Sequence, residues 1–130
     1  MSIQFTRHIE LNVLNEELQS AYRRFSSTET ALVKIFDDIL LNLDSRKAVL
    51  VGLLDLSAAF DTVDHGILLR RLEHSFGISG CALQWFDSYL SNRSFRVVIQ
   101  DALSDTFDLV CSVPQGSKLG PRLYSQYTRF

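Results

Sequence analysis

The chain has 130 residues, enough for one modest domain and too few for two. With 46% hydrophobic and 22% charged residues it has the apolar content of a folding chain, which excludes an intrinsically disordered one. A net charge of −2 excludes a strong overall field toward nucleic acid or an acidic membrane.

Residues 8–20 place Ile9, Val13, Leu14 and Leu18 at helical spacing, with Glu10, Glu16 and Glu17 elsewhere, and predict a short amphipathic helix. Arg23 and Arg24 follow as a local basic pair. Ser26-Ser27-Thr28-Glu29 is a capping-box pattern, with Glu29 three positions after Ser26. Beyond it Ala31, Leu32, Ile35, Phe36, Ile39, Leu40 and Leu43 form a wide apolar stripe, predicting a helix over 28–44. Residues 48–55 are a continuous apolar run, too short for an ordinary helix, and predict a central strand covered on both faces. It is also the longest apolar stretch, far short of the roughly 20 residues that cross a bilayer. No membrane contact is expected.

Asp64 is placed to cap a helix through Ile67, Leu68, Leu69 and Leu72. A second helix is predicted after Ser79-Gly80, with Leu83, Trp85, Phe86, Tyr89 and Leu90 as its bulky face. Ser91 to Ser94 reads as a break. Phe95–Gln100 and Phe107–Val113 read as two strands joined around residues 102–105. A final helix begins near Leu119. The expected class is mixed α/β (α+β), with helices packed on an incomplete, mostly antiparallel sheet. The two cysteines, Cys81 and Cys111, provide no disulfide framework and no metal-ligand spacing. Both read as buried or half-buried residues of a reducing compartment, and no signal-peptide core appears at the start.

Three places can carry chemistry. Asp55 ends the apolar run, where a carboxylate is costly to place unless a cation meets it. A hard cation such as Mg²⁺ takes one or two carboxylates plus substrate phosphates, and the Leu56 carbonyl could add a ligand. The alternative, and the commoner role of an aspartate at a strand end, is that Asp55 only caps a strand end or turn. Asp61, Asp64 and His65 form a second polar cluster: a transition-metal or acid–base pair, or a turn-fixing aspartate, a helix cap and an exposed histidine. Pro114-Gln115-Gly116-Ser117-Lys118-Leu119-Gly120-Pro121 is the third. Its glycines allow backbone to approach a ligand closely, Gln115 both donates and accepts hydrogen bonds, and Lys118 offers a point charge to phosphate. The alternative there is a strand-to-helix turn, and the spacing is not that of a Walker loop.

Taken together, Gln19 to Ala31, Leu54-Asp55-Leu56-Ser57-Ala58-Ala59-Phe60-Asp61-Thr62-Val63-Asp64-His65 and Val113 to Pro121 resemble the reverse transcriptase of non-LTR (LINE-type) retrotransposons. The resemblance runs from about Ile9 to Tyr127. It implies a partial fingers–palm domain over 1–130, with finger-side helices in 1–47 and a palm portion in 48–130. It implies that Asp55 is the first metal-binding, catalytic aspartate, with Mg²⁺ as cofactor. It places Leu56, Ala58 and Ala59 against the incoming dNTP and makes Phe60 the aromatic gate under its sugar. Gln115 and Gly116 resemble the residues that contact the incoming nucleotide and its template base. Arg23, Arg24 and Lys118 would face nucleic-acid phosphates.

The implied partners are an RNA template, a DNA primer and dNTP, in a nuclear or cytoplasmic setting. The family's paired metal-binding aspartates are expected downstream of residue 130, so no independent polymerase activity is expected of this chain. Asp37-Asp38 imitates that pair in composition but lies mid-helix, on a solvated face. The alternative is a non-catalytic remnant that binds nucleic acid or protein, or self-associates through an open sheet edge.

Overall fold

The computed structural model describes residues 1–129 and divides into two compact units: Met1–Asn15 with the chain from Ala58 onward, and Glu16–Ser57. Among the described residues, five helices and four short strands give the mixed α/β class that the sequence predicts.

The first unit begins with α1, Ser2–Leu11, which buries Phe5 and Ile9 one turn apart. The helix predicted over 8–20 is thus displaced toward the start of the chain. Its stop is a Schellman turn. Leu14 N–H donates to the Ile9 carbonyl at 2.9 Å and Val13 N–H to that of Glu10 at 3.3 Å. Val13 takes φ 52°, an uncommon conformation for a β-branched residue. Without glycine or asparagine at that position, the stop has no sequence signature. Leu14, predicted within the helix, instead folds back onto the core from the turn.

Helix α3, His65–His74, starts as predicted, with Asp64 Oδ1 accepting from Ile67 N–H at 2.7 Å. It buries Leu68 and Leu72 and packs against both α4 (Gly80–Leu90) and α5 (Gly120–Tyr127). Helix α4 opens at Ser79 and buries Phe86 and Leu90. Cys81 on α4 is exposed, contrary to expectation, because it lies off the face that carries Phe86 and Leu90. Helix α5 has proline in its first turn and buries Leu123. The core of this unit is formed by these helix faces together with Val63, Phe76, Ile78, Val113 and Leu119.

Two antiparallel ladders lie between α4 and α5 in the chain. Strand β1 (Arg93–Phe95) pairs with β4 (Phe107–Leu109), with Phe95 opposite Phe107 and their rings stacked 5.6 Å apart. Strand β2 (Val98–Ile99) pairs with β3 (Ala102–Leu103) at the tip. The ladder therefore starts within the segment predicted as a break, and residues 110–113 lie beyond its end. There Cys111 makes an isolated antiparallel bridge to Asp64.

The second unit contains α2, Thr28–Asp44, whose bounds match the prediction. Its cap sits one residue later than expected. Ser27 Oγ accepts from Thr30 N–H, and Thr30 Oγ1 accepts from Ser27 N–H. Hydrogen bonds, first from the Ser27 side chain and then from the local backbone and Thr28, hold the Glu29 carboxyl below the usual carboxylate range. None of the α2 residues is buried. Asp38 lies on the exposed face, 3.8 Å from Lys34.

The strand predicted over 48–55 does not form. Leu50, Leu53 and Leu54 are 99%, 89% and 97% exposed. A fully apolar strand needs ladder partners at its edges and cover on both faces, and no described strand pairs with this run.

Candidate functional site

In the first unit, the turn after Ala58 and the Pro-Gln-Gly loop are joined by a row of hydrogen bonds. The turn is set locally: Asp61 N–H donates to the Ala58 carbonyl at 2.9 Å, and Thr62 Oγ1 to that of Ala59 at 3.2 Å. Ala58 takes φ 53°, which reverses the chain just before Phe60. Val113 N–H then donates to the Phe60 carbonyl at 3.0 Å, and Ser112 N–H to that of Val63 at 2.9 Å. The Cys111 thiol donates to the Asp61 carbonyl at 3.1 Å. Segments some fifty residues apart are thereby held edge to edge.

Side chains add to this row. Gln115 Nε2 donates to Asp61 Oδ1 at 3.2 Å. His65 Nε2 lies 2.6 Å from the Ser112 carbonyl, so that nitrogen carries the proton. The Phe60 ring is half-buried, with the Tyr124 ring of α5 beneath it at 5.0 Å between centroids. The loop is also closed on itself. Ser117 Oγ donates to the Pro114 carbonyl and accepts from Gly120 N–H, both at 2.8 Å. Gly116 has φ 74°, the left-handed conformation glycine adopts without penalty.

Asp61, Asp64 and His65 are thus not gathered into one metal or acid–base cluster. Each is engaged separately: with Gln115, with the α3 cap and with Ser112. His65 is half-buried rather than exposed. Sequence reasoning missed the roles of His65, Ser117 and Tyr124. For Ser117 a signal exists, a serine three positions before a Gly-Pro helix start.

Ser112 takes φ 105°, outside the regions a residue with a Cβ favours. Relieving such strain is worth about 1–3 kcal/mol, offset in part by the greater freedom of unfolded glycine. Ser112→Gly is therefore expected to stabilise the chain by about 0.5–1 kcal/mol in urea unfolding; a destabilised variant would contradict strain at this residue.

Of the other sequence-predicted residues, Ala58 and Ala59 form the turn of this row, and Lys118 is exposed on the loop. Asp55 and Leu56 are exposed in the second unit, as are Arg23 and Arg24. Arg23 donates to the carbonyls of Glu16, Glu17 and Gln19 at 3.0–3.2 Å, closing the loop that precedes α2. The Arg24 guanidinium lies 4.6 Å over the Phe25 ring. Among the described residues, no three His, Cys, Asp or Glu side chains gather where a metal could be held. Asp55 thus supplies a single carboxylate, and the residues present do not make a metal centre.

Residues 4–129 match the family of reverse transcriptases (RNA-dependent DNA polymerases). The chain belongs to that family. Its curated relatives include the probable RNA-directed DNA polymerase from transposon X-element of Drosophila melanogaster, 30% identical over 98% of this chain and 14% of that protein. The probable RNA-directed DNA polymerase from transposon BS, also of Drosophila melanogaster, is 31% identical over 85% of the chain and 12% of its own length. The RNA-directed DNA polymerase from mobile element jockey of the same fly is 29% identical over 85% of the chain and 12% of that protein. No solved structure matches the chain significantly. The chain spans 12–14% of the length of these relatives. With mobile-element polymerases matching most of the chain, it is a segment of the non-LTR type of reverse transcriptase. The family generally uses a divalent metal and binds a nucleic-acid template and primer. No helix among the described residues is long and apolar enough to cross a membrane.

Proposed function

We propose that this chain is the nucleotide- and template-contacting segment of an RNA-directed DNA polymerase of a non-LTR retrotransposon. The joining of the Phe60–Asp61 turn to the Val113–Gln115 loop carries the reading. It sets an aromatic ring, supported by Tyr124, on the same framework as a glutamine amide. In this reading Phe60 polices the sugar, Ala58 and Ala59 face the triphosphate, and Gln115 and Gly116 meet the incoming nucleotide and template base. Asp55, with the Leu56 carbonyl, contributes one side of a Mg²⁺ site. Arg23, Arg24 and Lys118 face template or primer phosphates. The division into finger-side residues 1–47 and palm residues 48–130 is part of the same proposal, as is an intracellular, nuclear or cytoplasmic, setting. With one metal carboxylate the chain does not polymerise by itself.

Anisotropy of a labelled RNA–DNA primer–template, measured over a salt series, tests the reading. Affinity is expected to fall steeply with salt, and Arg24→Ala or Lys118→Ala to lower the log–log slope by about 0.7–1 each. Salt-independent affinity would refute it, and so would templated synthesis by the chain alone refute the absence of activity.

A second reading, a remnant that self-associates, is favoured by the apolar side chains of residues 50–54 that stand in solvent. Concentration-dependent assembly, with no nucleic-acid affinity, would select it.

A further inference from the structure

We propose that Asp61 is a positioning residue that fixes which way the Gln115 amide faces. An ionised carboxylate only accepts hydrogen bonds, so the Gln115 atom 3.2 Å from Asp61 Oδ1 must be the amide nitrogen. The amide oxygen then points away from Asp61 and presents an acceptor at the loop surface. The backbones that carry both partners are held independently of this bond. Asp61 is fixed by its own N–H to Ala58 and by its carbonyl, which accepts from the Cys111 thiol at 3.1 Å. Gln115 is fixed by Val113, two residues earlier, whose N–H donates to the Phe60 carbonyl at 3.0 Å. With both backbones placed, only the two exposed side chains have to be ordered for the bond to select one of the two amide orientations.

The consequence is chemical. A freely rotating glutamine offers donor and acceptor alike. Gln115 held by Asp61 offers an acceptor to a ligand group that donates, such as a sugar hydroxyl or a base N–H. This rests on the proposed contact between Gln115 and a nucleotide, and it deepens that reading by naming the residue that sets the polarity of the contact. Asn replaces Asp61 without changing its shape, but it can donate as well as accept, so the amide is released to either orientation.

The experiment has two arms on the full chain. In the first, the Gln115 side-chain amide signals in a ¹⁵N–¹H spectrum are identified by their loss in Gln115→Ala. They are expected to shift in Asp61→Asn and to return toward their original positions in Asp61→Glu, with the backbone signals of Leu68 and Leu72 unmoved. Unshifted amide signals would overturn the proposal. In the second, dATP with Mg²⁺ is titrated in. Asp61→Asn is expected to bind about threefold to tenfold more weakly, the scale of one modest hydrogen bond. Equal affinity for the two chains would overturn the positioning role while leaving the nucleotide reading intact. Failure of the unsubstituted chain to bind dATP would count against the nucleotide reading, and the amide signals would then decide alone whether Asp61 orients Gln115.

Discussion

Phe86→Ala is expected to remove about 3–5 kcal/mol of stability from the unit that carries the candidate site. Phe86 is 1% exposed and is the largest fully buried side chain among the described residues. Its ring meets Phe5 of α1 edge-on at 5.2 Å and Trp85 at 5.4 Å, so it joins the start of the chain to α4. Truncation loses the transfer of a whole ring from water and leaves a cavity that helices on both sides cannot close. Domains are held by only about 5–15 kcal/mol, so the loss is comparable with the total. Trp85 is the sole tryptophan of the chain and reports directly on this packing. Urea unfolding followed by its fluorescence is expected to show a strongly lowered midpoint, or no folded baseline. Phe86→Leu, which keeps most of the volume, should fall between the two. A loss under about 1 kcal/mol in Phe86→Ala would mean that this cluster does not hold the unit together.

The elements legible in the sequence are those whose signals are local. Asp64 caps α3, Ser79 precedes α4, and the apolar stripe of α2 ends where the helix ends. The elements misread are those that depend on something distant or on an atypical residue. Residues 48–55 have the composition of a buried strand, but composition does not supply the neighbouring strand that a ladder needs. The α1 stop places valine where glycine is usual, so a reading by residue type runs the helix on past Leu11.

The same division applies to the site. Phe60, Gln115 and Gly116 stand in recognisable patterns, and the turn and loop that hold them do pack together. By residue type Asp61 reads as a turn-fixing aspartate and His65 as an exposed histidine, because their partners, Gln115 and Ser112, lie 54 and 47 residues away. Ser117 stands beside Lys118, whose charge is the more conspicuous feature of the loop. Its hydroxyl closes the loop that presents Gln115.

Gly120→Ala is expected to be the most damaging one-methyl change in that loop. A Cβ at Gly120 would stand 2.5 Å from the Pro114 carbonyl oxygen and 3.0 Å from Ser117 Oγ. The first of these is backbone, fixed by proline and by the Ser117 hydroxyl, so it has no easy way to yield. Overpacking of this kind costs about 1–3 kcal/mol, and relief requires the loop to move off the α5 start. Moving it displaces Pro114, and with it the neighbouring Gln115. Two other glycines separate this cause from a general loss of glycine. Gly116→Ala meets no atom within 4 Å but must hold φ 74°, so it should cost only about 1–2 kcal/mol in conformational strain. Gly52→Ala meets nothing within 4 Å and has no positive φ, so it should be neutral or slightly stabilising. Urea midpoints for the three variants should therefore rank Gly120→Ala lowest and Gly52→Ala highest. The Gln115 side-chain amide signal should move in Gly120→Ala and stay in place in Gly52→Ala. If Gly120→Ala matched Gly52→Ala on both measures, the loop would not be pressed against the α5 start, and the framework proposed to aim Gln115 would lose its anchor.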